Sequence, residues 1–270
     1  MSHYNNKIIL DRANLDKTVP KALQDFFAKY NKIALAFSGG VDSAYLLYAA
    51  CACNASVMPY YVKAQFQPLF EMQDAEELCN QLNIPMQQIK INVLENQDVV
   101  ANPANRCFYC KREIFTHILS QAAKDGYTEI LDGTNASDDA GDRPGMVVLQ
   151  ELHVLSPLRM VGLTKNQIRE YSRVAGLFTW NKPAYACLAT RIPTGRKITD
   201  LDLIKVEQSE DFLFAKGFSD FRVRLTDRGC KIQLPMEQAV RFVQLQSEIF
   251  PYLSKNFKEV VLDMEFRKSI

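Results

Sequence analysis

The chain has 270 residues, enough for one large domain or for two with separate cores, and its 47% hydrophobic and 23% charged residues are ordinary for a folded protein. Its 32 basic and 31 acidic residues leave a net charge of +1, so no global field gathers a polyanion such as tRNA, and no nucleic-acid partner is expected. No run of about eighteen apolar residues could span a bilayer, and MSHYNNKIILDR lacks the apolar core of a signal peptide, so a cytoplasmic protein without a membrane partner is expected. Seven cysteines in a reducing compartment read as core residues, metal ligands or reactive thiols rather than as a disulfide framework.

Residues 14–30 carry apolar positions at helical spacing and predict an amphipathic helix ahead of the first strand. The next stretch is NKIALAFSGGVDS, in which Ile33, Leu35 and Phe37 with the alanines between them form a buried strand that stops at Ser38-Gly39-Gly40. AYLLYAACA behind it starts a helix. Two glycines let backbone approach a ligand closely, and the free amides of a helix N-terminus favour an oxyanion. Asp42 would repel a bare phosphate, so a magnesium nucleotide suits the loop better than a free anion, with Asp42 as the candidate magnesium ligand. A Gly-Gly turn capped by Ser38 is the plainer alternative. The whole string Ser38, Gly39, Gly40, Val41, Asp42, Ser43 resembles the PP-loop of ATP pyrophosphatases, which bind ATP and release pyrophosphate, and no Gly-Lys-Ser/Thr of a kinase-type P-loop follows.

Strands at 57–66 and 86–94 with a helix from Leu69 between them continue the alternation, which implies parallel pairing and a doubly wound α/β sheet with its ligand beyond the carboxyl ends of the strands. A helix is expected from about Lys111 to Asp125, with Cys107 and Cys110 at its entrance. Two thiols at this spacing beside Arg106, Lys111 and Arg112 fit a metal centre or a redox pair, or they remain simple thiols. A short strand at 128–131 feeds DGTNASDDAGDRPG, whose Asp132, Asn135, Asp138, Asp142 and Arg143 would emerge on the nucleotide side, unless the loop is merely a solvated connection. HVLSPL at 153–158 predicts another strand, and TKNQIREYSRVAGL a Thr-capped helix that ends a first domain, 1–178.

The remainder, 179–270, reads as a smaller α+β domain. It opens on the long loop WNKPAYACLATRIPTG with Cys187 at its middle and continues as helix 203–216, strands 221–225 and 230–234, helix 236–245 and strand 259–264. Cys51, Cys53, Cys79 and Cys230 read as packing residues.

With SGGVDS, DGTN and DRPG, SPL, WNKPA, CLATRIPTG, RVRL and VVLD in this order, nearly the whole chain resembles the LarE family of ATP-dependent sulfur insertases. The resemblance implies a PP-loop pyrophosphatase fold and an enzyme that adenylates a carboxylate of a pyridinium dicarboxylate mononucleotide and replaces it by thiocarboxylate, in nickel-pincer nucleotide biosynthesis. It implies ATP and Mg2+ as cofactors, with Ser38 to Ser43, Asp132, Gly133, Asn135, Asp142 and Arg143 around the nucleotide, and a homo-oligomer assembled through the C-terminal domain. One branch of the family sacrifices a cysteine sulfur, and the other holds a [4Fe-4S] cluster on three cysteines. Here Ala186 falls at the sacrificial position with Cys187 one residue later, so the resemblance implies the cluster branch, with Cys107, Cys110 and Cys187 as ligands of an oxygen-labile cluster. It also implies that Thr190, Arg222 and Arg224 hold the substrate phosphate and that Glu210 lies near the reacting centre. Gln233 and Arg241 depart from the family pattern, where carboxylates are expected. A PP-loop tRNA thiolase using a three-cysteine cluster and a non-catalytic nucleotide-binding protein are the competing readings.

Overall fold

A computed structural model describes residues 8, 10, 14–138 and 144–267. They divide into two compact units. The first gathers the described residues up to Ala64 together with Leu69–Ile91 and Cys107–Lys182. The second takes Gln65–Pro68, Asn92–Arg106 and the chain from Pro183 onward.

In the first unit, the helix expected over 14–30 is two, α1 (Leu15–Thr18) and α2 (Lys21–Lys29), because Pro20 has no amide to continue α1 and instead caps α2. Strand β1 (Lys32–Ala36) leads into α3 (Val41–Ala52), then come β2 (Ser56–Lys63), α4 (Leu69–Leu82) and β3 (Gln87–Lys90). After the single turn α5 (Gln97–Val100), which belongs to the second unit, α6 runs Arg106–Lys124 and β4 spans Glu129–Leu131. Helix α6 begins five residues before the expected start, so Cys107 and Cys110 lie on its first turns, one turn apart on one face, rather than in a loop ahead of it. Helices α7 (Pro144–Glu151), α8 (Pro157–Met160) and α9 (Lys165–Val174) close the unit. The strand expected in HVLSPL reduces to one parallel bridge, Leu155 to Leu131, because Pro157 starts α8 two residues later.

The sheet is fully parallel, as the strand and helix alternation predicts, and its order is β3-β2-β1-β4. Its strands alternate between two buried layers. Ile33, Leu35, Val57, Tyr61 and Leu131 pack with α2, α3, α4 and α9, whereas Ala34, Tyr60, Val62 and Ile130 pack with Phe115, Ile118 and Ala122 of α6 and Leu149 of α7. Strands β1, β2 and β3 progress one way and β4 returns to the other side of β1, so the order reverses between β1 and β4. At such a reversal the connections leave the sheet in opposite directions and open a crevice beyond the carboxyl ends of the strands.

The second unit holds α10 (Asp200–Ala215), β5 (Arg222–Leu225), β6 (Gly229–Gln233), α11 (Met236–Gln244), α12 (Gln246–Leu253) and β7 (Glu259–Leu262). Strand β6 pairs antiparallel with β5 and parallel with β7. Val223, Leu225, Cys230 and Ile232 point into its core, which leaves Arg222, Arg224, Lys231 and Gln233 on the other face. Helix α12, with Pro251 inside it, has no counterpart in the sequence reading. Among the described residues, no helix is long and apolar enough to cross a membrane.

Candidate active site

The loop Ser38 to Ser43 lies at the reversal between β1 and β4. Gly40 is the N-cap of α3 and brings no side-chain acceptor to the first-turn amides of this twelve-residue helix. Gly39 has φ of +71°, and a Cβ there would stand 3.0 Å from Ala75 Cβ and 3.1 Å from the Glu71 carbonyl of α4. Only glycine fits this turn. Across the crevice, a Cβ on Gly133, which follows β4, would come within 2.9 Å of the Ser43 amide, so the DGTN loop presses directly against the start of α3. Ser43 Oγ lies 3.1 Å from Ser38 Oγ and accepts the Ser38 amide at 3.3 Å, which draws the loop into a ring.

Asp42 carries the sharpest electrostatic feature of the first unit. Its Oδ2 accepts a hydrogen bond of 2.7 Å from Lys165 Nζ, the first residue of α9, while its buried Oδ1 has no partner among the described residues. Burial pushes the Asp42 carboxyl above its ordinary value, and Lys165 only partly counters it. An ionised oxygen left unpaired in this way is a position for a cation, and hard oxygen donors are what Mg2+ takes. A second cation, Lys182 Nζ, donates to the Gly39 carbonyl at 3.2 Å and to Asp74 Oδ2 at 2.6 Å, tying the WNK segment to the glycine turn.

The other loop residues are more constrained than a solvated connection would be. Asp132 is buried and accepts from Thr134 Oγ1 and Ser156 Oγ, so both its oxygens are engaged with the chain. Asn135 is buried, with its amide donating to Asp138 Oδ2 and its side-chain oxygen accepting from Ser137. Asp142 and Arg143 lie outside the described residues.

The second unit builds a cationic cluster. Arg191 is fully buried and forks onto Glu210, with Nε at 2.7 Å from Oε1 and Nη2 at 3.1 Å from Oε2. Glu210 also accepts the Val223 amide at 2.9 Å and the Tyr185 hydroxyl, so all four acceptor positions of its carboxylate are filled by the fold. The Tyr185 ring lies beneath both Arg191 and Arg222, at 4.6 Å and 5.2 Å from the guanidinium carbons. Arg222 donates to the carbonyls of Phe221 and Ala184, each at 2.6 Å, and Arg224 to the Thr190 carbonyl at 2.6 Å. Arg267 is held by Asp220. Burial, with Arg191 and Arg267 nearby, pulls Arg222 down to about 10 and lowers Arg224 as well. Four guanidiniums face two carboxylates here, and a bound phosphate would relieve the repulsion.

Cys187 caps the 3-10 turn Leu188–Arg191, its carbonyl accepting from Thr190 Oγ1 at 2.8 Å. Asn102 and Arg106 pin the same loop: Arg106 donates to the Ala189 carbonyl at 3.1 Å and Asn102 to that of Pro193 at 2.8 Å. Cys107 is exposed and Cys110 half-buried on α6. Among the described residues, no three His, Cys, Asp or Glu side chains are gathered around one point as a metal requires. Neither unit alone offers the donor set of an iron-sulfur cluster, since Cys107 and Cys110 belong to the first and Cys187 to the second. Cys51, Cys79 and Cys230 are packing residues, as expected, their thiols pushed up to about 12 by burial, and half-buried Cys53 is raised to about 11.

Over 249 residues the chain is 33% identical to an uncharacterized protein of Synechocystis, a match covering 90% of this chain and 92% of that protein. The chain belongs to that protein's family. It is also 26% identical over 250 residues to the pyridinium-3,5-bisthiocarboxylic acid mononucleotide synthase of Lactiplantibacillus plantarum, covering 92% of this chain and 89% of the synthase, which makes the two distant homologues. An uncharacterized protein of Methanocaldococcus jannaschii is 27% identical over 243 residues, 89% of this chain and 92% of its own length. No family profile matches the chain. Lys165, Lys182, Arg191 and Arg267 escaped the sequence reading. A lysine or arginine in a polar segment carries no local signal until the fold shows which carboxylate or carbonyl it meets.

Proposed function

We propose that the chain is an ATP-dependent sulfur transferase of the LarE type, which adenylates a carboxylate of a pyridinium dicarboxylate mononucleotide and exchanges it for thiocarboxylate. The carrying observation is the SGGVDS turn, set at the reversal of a parallel sheet, with a helix N-terminus that its N-cap side chain leaves open and an Asp42 oxygen without a partner among the described residues. The distant homology to the pyridinium mononucleotide synthase supports the acceptor.

On this reading the backbone at Gly39 and Gly40 and the first-turn amides of α3 receive the ATP phosphates, with the Ser38 and Ser43 hydroxyls beside them. Asp42 would hold Mg2+ through Oδ1, with Lys165 remaining on Oδ2, and the ion would supply neutralisation of the charge on the departing pyrophosphate. A substrate carboxylate oxygen attacks the α-phosphorus of ATP, the bond to the β-phosphate oxygen breaks, and the product is an acyl adenylate plus pyrophosphate. A sulfur nucleophile then displaces AMP at the acyl carbon. In the second unit, Thr190, Arg222 and Arg224 hold the substrate phosphate. Glu210 fixes Arg191 beneath them and, with its acceptors filled, serves that site through Arg191. For the sulfur donor, the resemblance assigns Cys107, Cys110 and Cys187 to a [4Fe-4S] cluster, which would supply the sulfur. The working form is proposed to be a homo-oligomer.

An anaerobic pyrophosphate-release assay with ATP, Mg2+ and either the pyridinium dicarboxylate mononucleotide or tRNA tests the proposal. Release that requires the mononucleotide is expected. Release with tRNA alone would turn the assignment to a tRNA thiolase, and ATP binding with no release from either would leave a nucleotide-binding protein. Anaerobic iron reconstitution tests the cysteines separately: about four irons per chain are expected, reduced by Cys187→Ala.

A further inference from the structure

Gln233 stands where the family resemblance leads one to expect a carboxylate, and its surroundings explain an amide. Its Oε1 accepts from Arg224 Nε and its Nε2 donates to Asp263 Oδ2 at 2.8 Å. A guanidinium only donates and an ionised carboxylate only accepts, so the residue between them must accept on one side and donate on the other. Asp263 is ionised: hydrogen bonds from Lys231 and Gln233 hold its carboxyl below the ordinary range. Asparagine is too short to span from β6 to both, and a carboxylate at this position would set two anions against each other. Glutamine meets both demands and brings no charge to Arg224.

We propose that Gln233 is a positioning residue of the substrate site: it aims Arg224 through a neutral amide, so that the Arg224 charge stays available to a phosphate monoester instead of being cancelled by its own support. The inference rests on the reading of Arg222 and Arg224 as phosphate ligands. Their geometry fits it. Strand register puts Arg222 opposite Gln233 and Arg224 opposite Lys231, so the two arginines and their supports share one face of the sheet. Arg224 is oriented twice, by Gln233 at Nε and by the Thr190 carbonyl at Nη1, leaving the Nη2 edge with no partner among the described residues. Asp263, on the far side of Gln233, is engaged by Gln233 and Lys231 rather than by Arg224.

The test is a charge exchange in the full-length protein. The double variant Gln233→Glu with Asp263→Asn keeps both hydrogen bonds and the net charge but moves the carboxylate from Asp263 to a place directly against Arg224. Nicotinic acid mononucleotide and its dephosphorylated riboside serve as probes, read by calorimetry. The wild type is expected to prefer the mononucleotide, and the double variant to lose about tenfold of that preference, with riboside binding unchanged, as for neutralising one cationic phosphate contact. A double variant that discriminates like the wild type, while Arg224→Ala does not, overturns the role of Gln233 and leaves the phosphate site standing. Discrimination unaffected by Arg224→Ala overturns both. Should the double variant fold poorly, the single variants decide: Gln233→Glu must lose more discrimination than Gln233→Leu, and equal losses overturn the inference.

Discussion

Asp42 and Glu210 are both acidic side chains beside a basic one, yet their surroundings give them opposite roles. Glu210 is 1% exposed and accepts hydrogen bonds from Arg191, Val223 and Tyr185, so its charge is matched within the fold. Glu210→Ala would strand the Arg191 guanidinium in the interior, and a loss of about 3–5 kcal/mol in denaturant unfolding is expected. Asp42 is instead left half-matched, with Lys165 on one oxygen and no partner on the other among the described residues. Because its folded pKa is raised, the folded chain binds more protons than the unfolded chain from about pH 4 upward, and stability falls as pH rises through that window. Asp42→Asn removes this cost. The variant is expected to melt higher than the wild type at pH 7, to differ less from it at pH 4, and to release no pyrophosphate, which thermal melts and the release assay check. Stability withheld at a site is the usual companion of ligand binding.

At the scale of elements, two loops leaving adjacent strands in opposite directions make the first unit's site, and their spacing is set by glycine. Gly133 lets the chain after β4 touch the first turn of α3, with no room for a methyl group between them. Gly133→Ala is expected to push the DGTN loop away from the Ser43 amide, to cost about 1–3 kcal/mol in stability, and to weaken ATP binding more than a change of that size elsewhere, as seen by nucleotide titration. Helix α9 shows how the sequence can set a helix start by local means alone. Thr164 and Gln167 form a reciprocal capping box, legible as Thr-x-x-Gln, and that start delivers Lys165 to Asp42. The pairing itself is not legible, since 123 residues separate the partners.

For the whole molecule, a net charge of +1 conceals a concentrated field. Arg191, Arg222, Arg224 and Arg267 share one site with Glu210 and Asp220, and the two arginines of β5 have lowered pKa values because they are buried among like charges. Inorganic phosphate is therefore expected to raise the melting temperature of the wild type at low salt, less at high salt, and not that of a variant carrying Arg222→Ala and Arg224→Ala. Composition averages such a cluster away. The parallel pairing of the sheet, by contrast, is legible, though not its strand order, because apolar runs of strand length alternating with amphipathic helices have few other ways to bury both faces. The glycine turn and the Thr164 cap were legible too, being written in adjacent residues. Sequence alone misplaced the start of α6, since a polar run that begins a helix looks like a loop, and it read HVLSPL as a strand although Pro157 left room for one bridge. Only the tertiary structure decided which charges are matched: that Lys165 holds one oxygen of Asp42 while the other has no partner among the described residues, that Glu210 is saturated, and that Gln233 links Arg224 to Asp263. Local propensity acts over a few residues of chain, whereas electrostatic partnership acts over a few ångströms of space, and folding alone brings such distant partners together.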